Sequence, residues 1–308
     1  MKARELGRGG VVVGDRVSLA GDASGEPGSL ARVVRVQPRT SVLRRSAEDD
    51  DPAERILVAN ADQLVIVTAL ADPPPRPRLI DRFLVAAYDA GLDPLLCLTK
   101  ADLAPPDDLI AIYRPLGIRS VVLRRPAGGQ LGGELGQLRD LLHGRISVLV
   151  GHSGVGKSTL VNVLVPEADR AVGTVSPVTG RGRHTSSSAV ALPLPGGGWI
   201  IDTPGLRSFG LGYIAADRVV SAFPEFTEAI ARCQPGCSHL EAGCALDDWV
   251  AGRASDHGAG AEHGGPAEAA RLDSLRRLLR SREGLEAGPE PAEPAEPAEP
   301  AEPAEYGD

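Results

Sequence analysis

No run of 18 apolar residues and no signal peptide occurs in the 308-residue sequence. That excludes a helical membrane span and points to a soluble, cytoplasmic protein. Cysteine is scarce. Of four in all, three fall within the twelve residues 233–244, which is not a disulfide framework and agrees with a reducing compartment. Aromatic residues make up 3%, and none precedes Phe83, so the amino-terminal segment offers no ring on which a nucleic-acid base could stack. Positive charge is missing from the tail, where Glu283–Asp308 carries nine acids and no Lys or Arg. The formal net charge of −8 therefore belongs to the tail, because the other 32 acids against 33 bases leave residues 1–282 near +1. Anionic partners stay open for the rest of the chain. Arg39, Arg44 and Arg45, and Arg276, Arg277, Arg280 and Arg282, form basic clusters that could meet nucleic-acid phosphates or could simply be solvated faces.

What is present centres on one loop. Gly151-His152-Ser153-Gly154-Val155-Gly156-Lys157-Ser158-Thr159 matches the G-x-x-x-x-G-K-[ST] phosphate-binding pattern in full. Ile146–Val150 reads as a buried strand entering it, and Thr159–Val165 as the helix leaving it, stopped by Pro166. Backbone amides and the helix amino terminus suit phosphate, Lys157 suits its outer oxygens, and the Ser158 hydroxyl suits Mg²⁺. Downstream, the strand Trp199–Ile201 leads to Asp202-Thr203-Pro204-Gly205, where Asp202 can hold Mg²⁺ through water and Gly205 can sense a γ-phosphate. Between them, Arg181-Gly182-Arg183-His184-Thr185 offers Thr185 as a second Mg²⁺ ligand. The residue after D-T-P-G is Leu206, where many GTPases place a water-orienting Gln, so intrinsic hydrolysis is expected to be slow. His184 is the nearby substitute, either as a water-positioning group or as a partner contact.

The order of these motifs is unusual. Thr99-Lys100-Ala101-Asp102 resembles the N-K-x-D guanine motif, in which the Asp pairs with two ring donors and the Lys stem lies over the base. It precedes the phosphate loop instead of following it, which marks a circularly permuted nucleotide switch. Thr99 stands in place of Asn, which weakens or remakes one polar base contact. Permutation leaves the pocket intact, because nucleotides bind where strand ends meet helix starts in space.

A second centre is Cys233-x₃-Cys237-x-His239-x₄-Cys244. Three thiolates and one imidazole fill a tetrahedral Zn²⁺ shell with no open position, which makes a structural site. Cys97, inside an apolar run, reads as a core residue.

The G-H-S-G-V-G-K-S-T loop, the R-G-R-H-T segment, D-T-P-G and the late phosphate loop together resemble the ribosome-small-subunit-dependent GTPase A family, from about Val11 to about Arg282. The resemblance implies an amino-terminal OB-fold, a central permuted GTPase and a carboxyl-terminal zinc-binding helical domain. It also implies GTP/GDP and Mg²⁺ as ligands, and the small ribosomal subunit, rRNA and proteins, as partner, with GTP hydrolysis in late subunit maturation. Three features depart from the pattern: Thr99, a metal motif one residue shorter in its first and last gaps, and a start at Met1-Lys2-Ala3-Arg4-Glu5 that resembles the interior of the OB-fold. The first strands of that barrel are therefore expected to be missing.

The expected architecture is an α/β phosphate-loop GTPase domain over 54–222, an OB-like all-β domain over 1–50, a zinc-binding α-helical domain over 223–285 and a Pro-Ala-Glu tail over 286–308. Strands are expected at Val11–Asp15, Ala31–Val36, Gln63–Ala69, Pro94–Leu98 and Gly117–Leu123, and helices at Leu79–Tyr88, Asp107–Leu116, Glu134–Leu142 and Ala270–Ser281. Ser46–Ala53 reads as an acidic linker, and the repeats after Ala287 as extended chain. A monomer without membrane contact is expected. Two other readings stand beside the GTPase: a nucleotide-gated RNA- or ribosome-binding module with little hydrolysis, prompted by Leu206, and an ATP-using phosphotransferase, prompted by Thr99.

Overall fold

A computed structural model describes residues 10–24, 26, 28–45, 55–125, 129–168, 189–203, 210–211, 214–241, 243–256 and 266–285. The expected linker at 46–53 and the repeat tail lie outside them.

At the centre stands a seven-stranded sheet. It takes β5 (Gln63–Ala69), β6 (Asp93–Thr99), β7 (Arg119–Arg124), β8 (Gly132–Gly133), β9 (Ile146–Val150), β10 (Val190–Pro193) and β11 (Trp199–Asp202). Their spatial order is β10-β11-β9-β5-β6-β7-β8. The five strands from β11 to β7 are parallel, and the two edge strands run antiparallel to their neighbours. Buried parallel strands need apolar side chains on both faces, and β5 shows why this run forms one. All seven of its residues are buried, with Leu64 and Ile66 in one core and Val65, Val67 and Ala69 in the other.

Helices cover both faces. On one side lie α1 (Pro77–Ala90) and α2 (Asp107–Tyr113, continued by a 3₁₀ turn Arg114–Leu116); on the other lie α3 (Leu135–Leu142) and α4 (Lys157–Leu164). Helix α1 starts with Pro at its first position, where no amide bond is lost, and stops at Gly91 (φ 67°), whose amide closes on Tyr88 O at 3.1 Å. Its Leu79, Ile80, Phe83, Leu84 and Ala87 are buried at helical spacing against the sheet.

The amino-terminal strands form two separate antiparallel pairs among the described residues: β1 (Val17–Gly21) with β2 (Ala31–Val36), and β3 (Val42–Arg45) with β4 (Arg55–Ala59). The expected strand at Val11–Asp15 is corrected to a tight turn with a single bridge, Val13 to Val58. The Asp15 carboxylate accepts the Val12 amide at 2.8 Å, and the Asp15 amide returns to Val12 O at 3.1 Å. Gly14 has φ 90°, and a Cβ there would lie 1.9 Å from Ala59 O. The backbone approaches β4 too closely for any other residue.

The carboxyl-terminal part is helical: α5 (Ala216–Val220), α6 (Thr227–Ile230), α7 (Ala245–Asp256) and α8 (Pro266–Arg282). Buried leucines 272, 275, 278 and 279 seat α8 in the same core as α1. The basic residues of this helix are mostly engaged within the chain. Arg276 bonds Asp247, Arg277 bonds Asp81 of α1 at 3.0 Å, and Arg282 donates to Ile214 O at 2.6 Å. Arg277 also lies 5.1 Å over the Tyr113 ring, and Arg271 donates to Pro115 O at 2.9 Å while covering the Phe223 ring at 4.8 Å. Arg39 is likewise held by both Asp15 oxygens, at 2.7 and 2.8 Å. Burying apolar helix faces leaves these guanidiniums beside chain carboxylates and carbonyls, which they satisfy. Arg280 stays exposed.

Candidate nucleotide-binding site and metal centre

Strand β9 ends at Val150 and α4 begins at Lys157, so the intervening loop turns within six residues. The turn requires glycine where the backbone passes closest to its neighbour: a Cβ on Gly151 would stand 2.3 Å from Val67 O. Gly156 enters the helix at φ 94°, and the first helical bond runs from the Leu160 amide to Gly156 O at 2.9 Å. The first amides of a helix have no partner within it, so this end is suited to anionic oxygens.

Lys157 is buried at 9% exposure, with Nζ 3.4 Å from Gly151 O. Burial pushes its pKa below the ordinary value, and the charge of Asp202 partly restores it. A buried ammonium gains from a bound polyanion. His152 is buried with Nδ1 2.8 Å from Ser153 O; Val155 is buried, Ser153 and Gly154 are exposed, and Ser158 and Thr159 are half-buried at the start of α4.

The loop after β6 comes to the same place. Thr99 is 4% exposed, and its hydroxyl donates to Val155 O at 2.6 Å, with Thr68 O at 3.3 Å. Its one proton is thereby committed to the phosphate loop, so a base contact from Thr99 would have to use the hydroxyl oxygen as acceptor. Lys100 adopts φ 57°, and its ammonium donates to Asp72 O. Asp102 is exposed; the Arg125 amide bonds its Oδ1 at 2.8 Å and holds the carboxyl below its ordinary pKa. The Ala101 amide donates to Leu123 O at 3.1 Å, which pins this loop to β7. The Arg125 and Asp72 contributions had no signature in the sequence, since both act through backbone atoms.

Asp202 closes β11 in register with Leu149 of β9. The buried Thr203 hydroxyl donates to Leu149 O at 2.6 Å, fixing the exit from that strand. Because β6, β9 and β11 are all parallel to β5 or to each other, Thr99–Asp102, Gly151–Thr159 and Asp202 gather at the carboxyl-terminal ends of the parallel strands. His184, Thr185, Gly205 and Leu206 lie outside the described residues.

The ligand atoms of Cys233, Cys237, His239 and Cys244 lie within 4.8 Å of one another. A tetrahedral zinc with ordinary bond lengths demands S···S edges of about 3.8 Å and S···N edges of about 3.6 Å. Four of the six edges are 3.6 Å for Cys233–Cys244, 3.8 Å for Cys237–Cys244, 3.6 Å for Cys233–His239 and 3.5 Å for Cys244–His239, the last two to Nδ1, and the other two are no longer than 4.8 Å. The donor set fits zinc. Burial pushes the Cys244 thiol up to about 12 and the His239 imidazole below its ordinary value. Metal binding would draw the thiolates against that burial. Cys97 lies apart, fully buried in the sheet with its thiol likewise pushed up to about 12, the condition of an inert core residue.

The RsgA GTPase family model matches residues 36–212. Small ribosomal subunit biogenesis GTPase RsgA of Gemmatimonas aurantiaca is 41% identical over 242 residues, 78% of this chain and 78% of that protein. Its namesake in Pseudomonas fluorescens SBW25 is 42% identical over 244 residues, 77% of this chain and 68% of that one. Among solved structures, YjeQ from Thermotoga maritima superposes with a TM-score of 0.61 at 25% identity, covering 92% of this chain and 88% of that one. YloQ, described as a circularly permuted GTPase, shares the fold at a TM-score of 0.56 and 22% identity, over 90% of this chain and 83% of its own. With a domain match across more than half its length and relatives at this identity, the chain belongs to the RsgA GTPase family and is a GTP-hydrolysing enzyme on a circularly permuted fold.

Proposed function

We propose that this chain binds the small ribosomal subunit and hydrolyses GTP to GDP and phosphate during late maturation of that subunit. One observation carries the nucleotide part: motifs in reversed chain order meet at the carboxyl-terminal ends of the parallel strands, where Thr99 of the base loop bonds Val155 of the phosphate loop at 2.6 Å. The subunit as partner is supported by the names of the relatives.

In this reading the amides from Gly151 to Ser158 and the Lys157 ammonium take the phosphates, and Asp102 selects guanine with Lys100 beside it. Ser158, Thr185 and, through water, Asp202 would hold Mg²⁺, which supplies neutralisation of the charge developing on the β- and γ-oxygens. Gly205 senses the γ-phosphate. Leu206 cannot orient water, so His184 or the partner does so. Intrinsic turnover is then slow and the partner accelerates it.

The same proposal divides the chain into an OB-like unit over 1–50, a GTPase unit over 54–222, a zinc-holding helical unit over 223–285 and a tail over 286–308. It acts as a monomer in the cytoplasm; no described helix is long and apolar enough to cross a membrane.

The test is GTP and ATP turnover by the zinc-loaded chain, alone and with purified small subunits. A low GTPase rate strongly stimulated by subunits, with ATP inert, is expected, and Lys157→Ala abolishes it. GTP binding without stimulation would favour the nucleotide-gated binding module instead. Equal use of ATP would overturn the guanine assignment.

A further inference from the structure

One guanidinium on α8 grips both arms of the metal loop. Arg276 Nε donates to His239 O at 3.0 Å, while Nη1 and Nη2 donate to the two Asp247 oxygens at 2.7 and 2.9 Å. His239 is a member of the metal cluster. Asp247 sits in the first turn of α7, which begins immediately after Cys244, and its amide closes on Cys244 O at 2.9 Å.

Two further features make this contact more than packing. His239 holds φ 62°, a left-handed backbone that is unfavourable for a non-glycine residue and persists only where neighbours hold it. The carbonyl that Arg276 holds belongs to that same residue. Three thiolates and a neutral imidazole around a divalent ion also leave one net negative charge, and the Arg276 cation lies against it. A planar fork bonded in three directions is something lysine cannot reproduce.

We propose that Arg276 is a positioning residue of the zinc centre. It holds His239 and the Cys244 end of the loop in the geometry the ion needs and offsets the charge of the loaded site. The same helix is held to α1 by Arg277 on Asp81 and to the 3₁₀ turn after α2 by Arg271 on Pro115 O, so the metal loop and that helical layer share one strut.

The inference rests on the reading that the cluster holds zinc, and the test separates the two. Zinc affinity of the full chain is measured by chelator competition for the parent, Arg276→Lys, Arg276→Gln and Arg277→Gln. A parent that binds one zinc, with a loss of about 10-fold for Arg276→Lys and nearer 100-fold for Arg276→Gln, is expected, in the range found for outer partners of metal ligands. Arg277→Gln serves as control: it removes an ion pair from the same helix and should leave zinc affinity within about twofold of the parent. A parent that binds zinc while both Arg276 variants match it would overturn the proposal alone. Equal losses for Arg276→Gln and Arg277→Gln would reduce Arg276 to a fold contact. A parent that binds no zinc would remove the metal reading itself. Should Arg276→Gln fail to fold, Arg276→Lys decides, because it keeps the charge and loses the fork.

Discussion

Replacing Thr99 by Val removes one hydroxyl and preserves shape. The bond lost is the 2.6 Å donation to Val155 O, and both residues are buried, Thr99 at 4% exposure and Val155 at 0%. Water therefore has poor access to the orphaned carbonyl, and a buried acceptor left without its donor costs about 1–3 kcal/mol. Where that cost falls on the loop conformation that receives phosphate, each 1.4 kcal/mol weakens binding by about tenfold. GDP and GTP affinity should both fall, by about 10- to 100-fold. The preference for guanine over adenine should not change, since Asp102 is held by Arg125 on the far side of the loop. Thr99→Ser keeps the donor and should stay within about threefold of the parent. Equilibrium titration with GDP, GTP and ADP reads all of this. The reasoning fails if Thr99→Val keeps its GDP affinity, or if it loses guanine preference while phosphate binding holds.

Gly151→Ala places a Cβ 2.3 Å from Val67 O, so the loop must move off β5; loss of measurable GDP binding is expected in a chain whose circular dichroism still reports the α/β fold. Arg277→Gln breaks a pair whose Asp81 side chain is 5% exposed and whose Arg side chain is 31% exposed. A loss of about 1–3 kcal/mol in urea unfolding is expected, between the values for exposed and for buried pairs. Stripping zinc with a strong chelator should loosen residues 233–256, read as faster amide exchange there, while the Gly151–Leu164 amides keep their protection in GDP.

The nucleotide-binding sheet was largely legible because its signals are local. Ile146–Val150 and Gln63–Ala69 are apolar runs whose bounds match β9 and β5, and Ala31–Val36 matches β2. The misses share a physical cause. Strand β10 is an exposed edge that contains Pro193, a residue that argues against a strand except at an edge. Helix α7 has little apolar periodicity, because Asp247 and Asp248 open it and Gly252 interrupts it. Val11-Val12-Val13 looked like a strand, yet the Asp15 carboxylate and Gly14 turn it into a loop braced on β4.

Residue chemistry and spacing alone marked out a phosphate-loop pattern, a candidate base-recognition motif and a Cys₃His set, and put the first two in permuted order. Each is a short run whose function depends on backbone conformation or ligand type within a few residues, so one dimension suffices to find it. The tertiary structure decided the partners that come from far along the chain. Thr99 donates its hydroxyl proton to the phosphate loop 56 residues away. Arg277 reaches Asp81 across 196 residues, and Arg276 reaches back 37 residues to His239. An arginine or threonine in a sequence declares only how many hydrogen bonds it can make. Which acceptors it finds depends on which surfaces the apolar cores press together, and that is a property of packing in three dimensions.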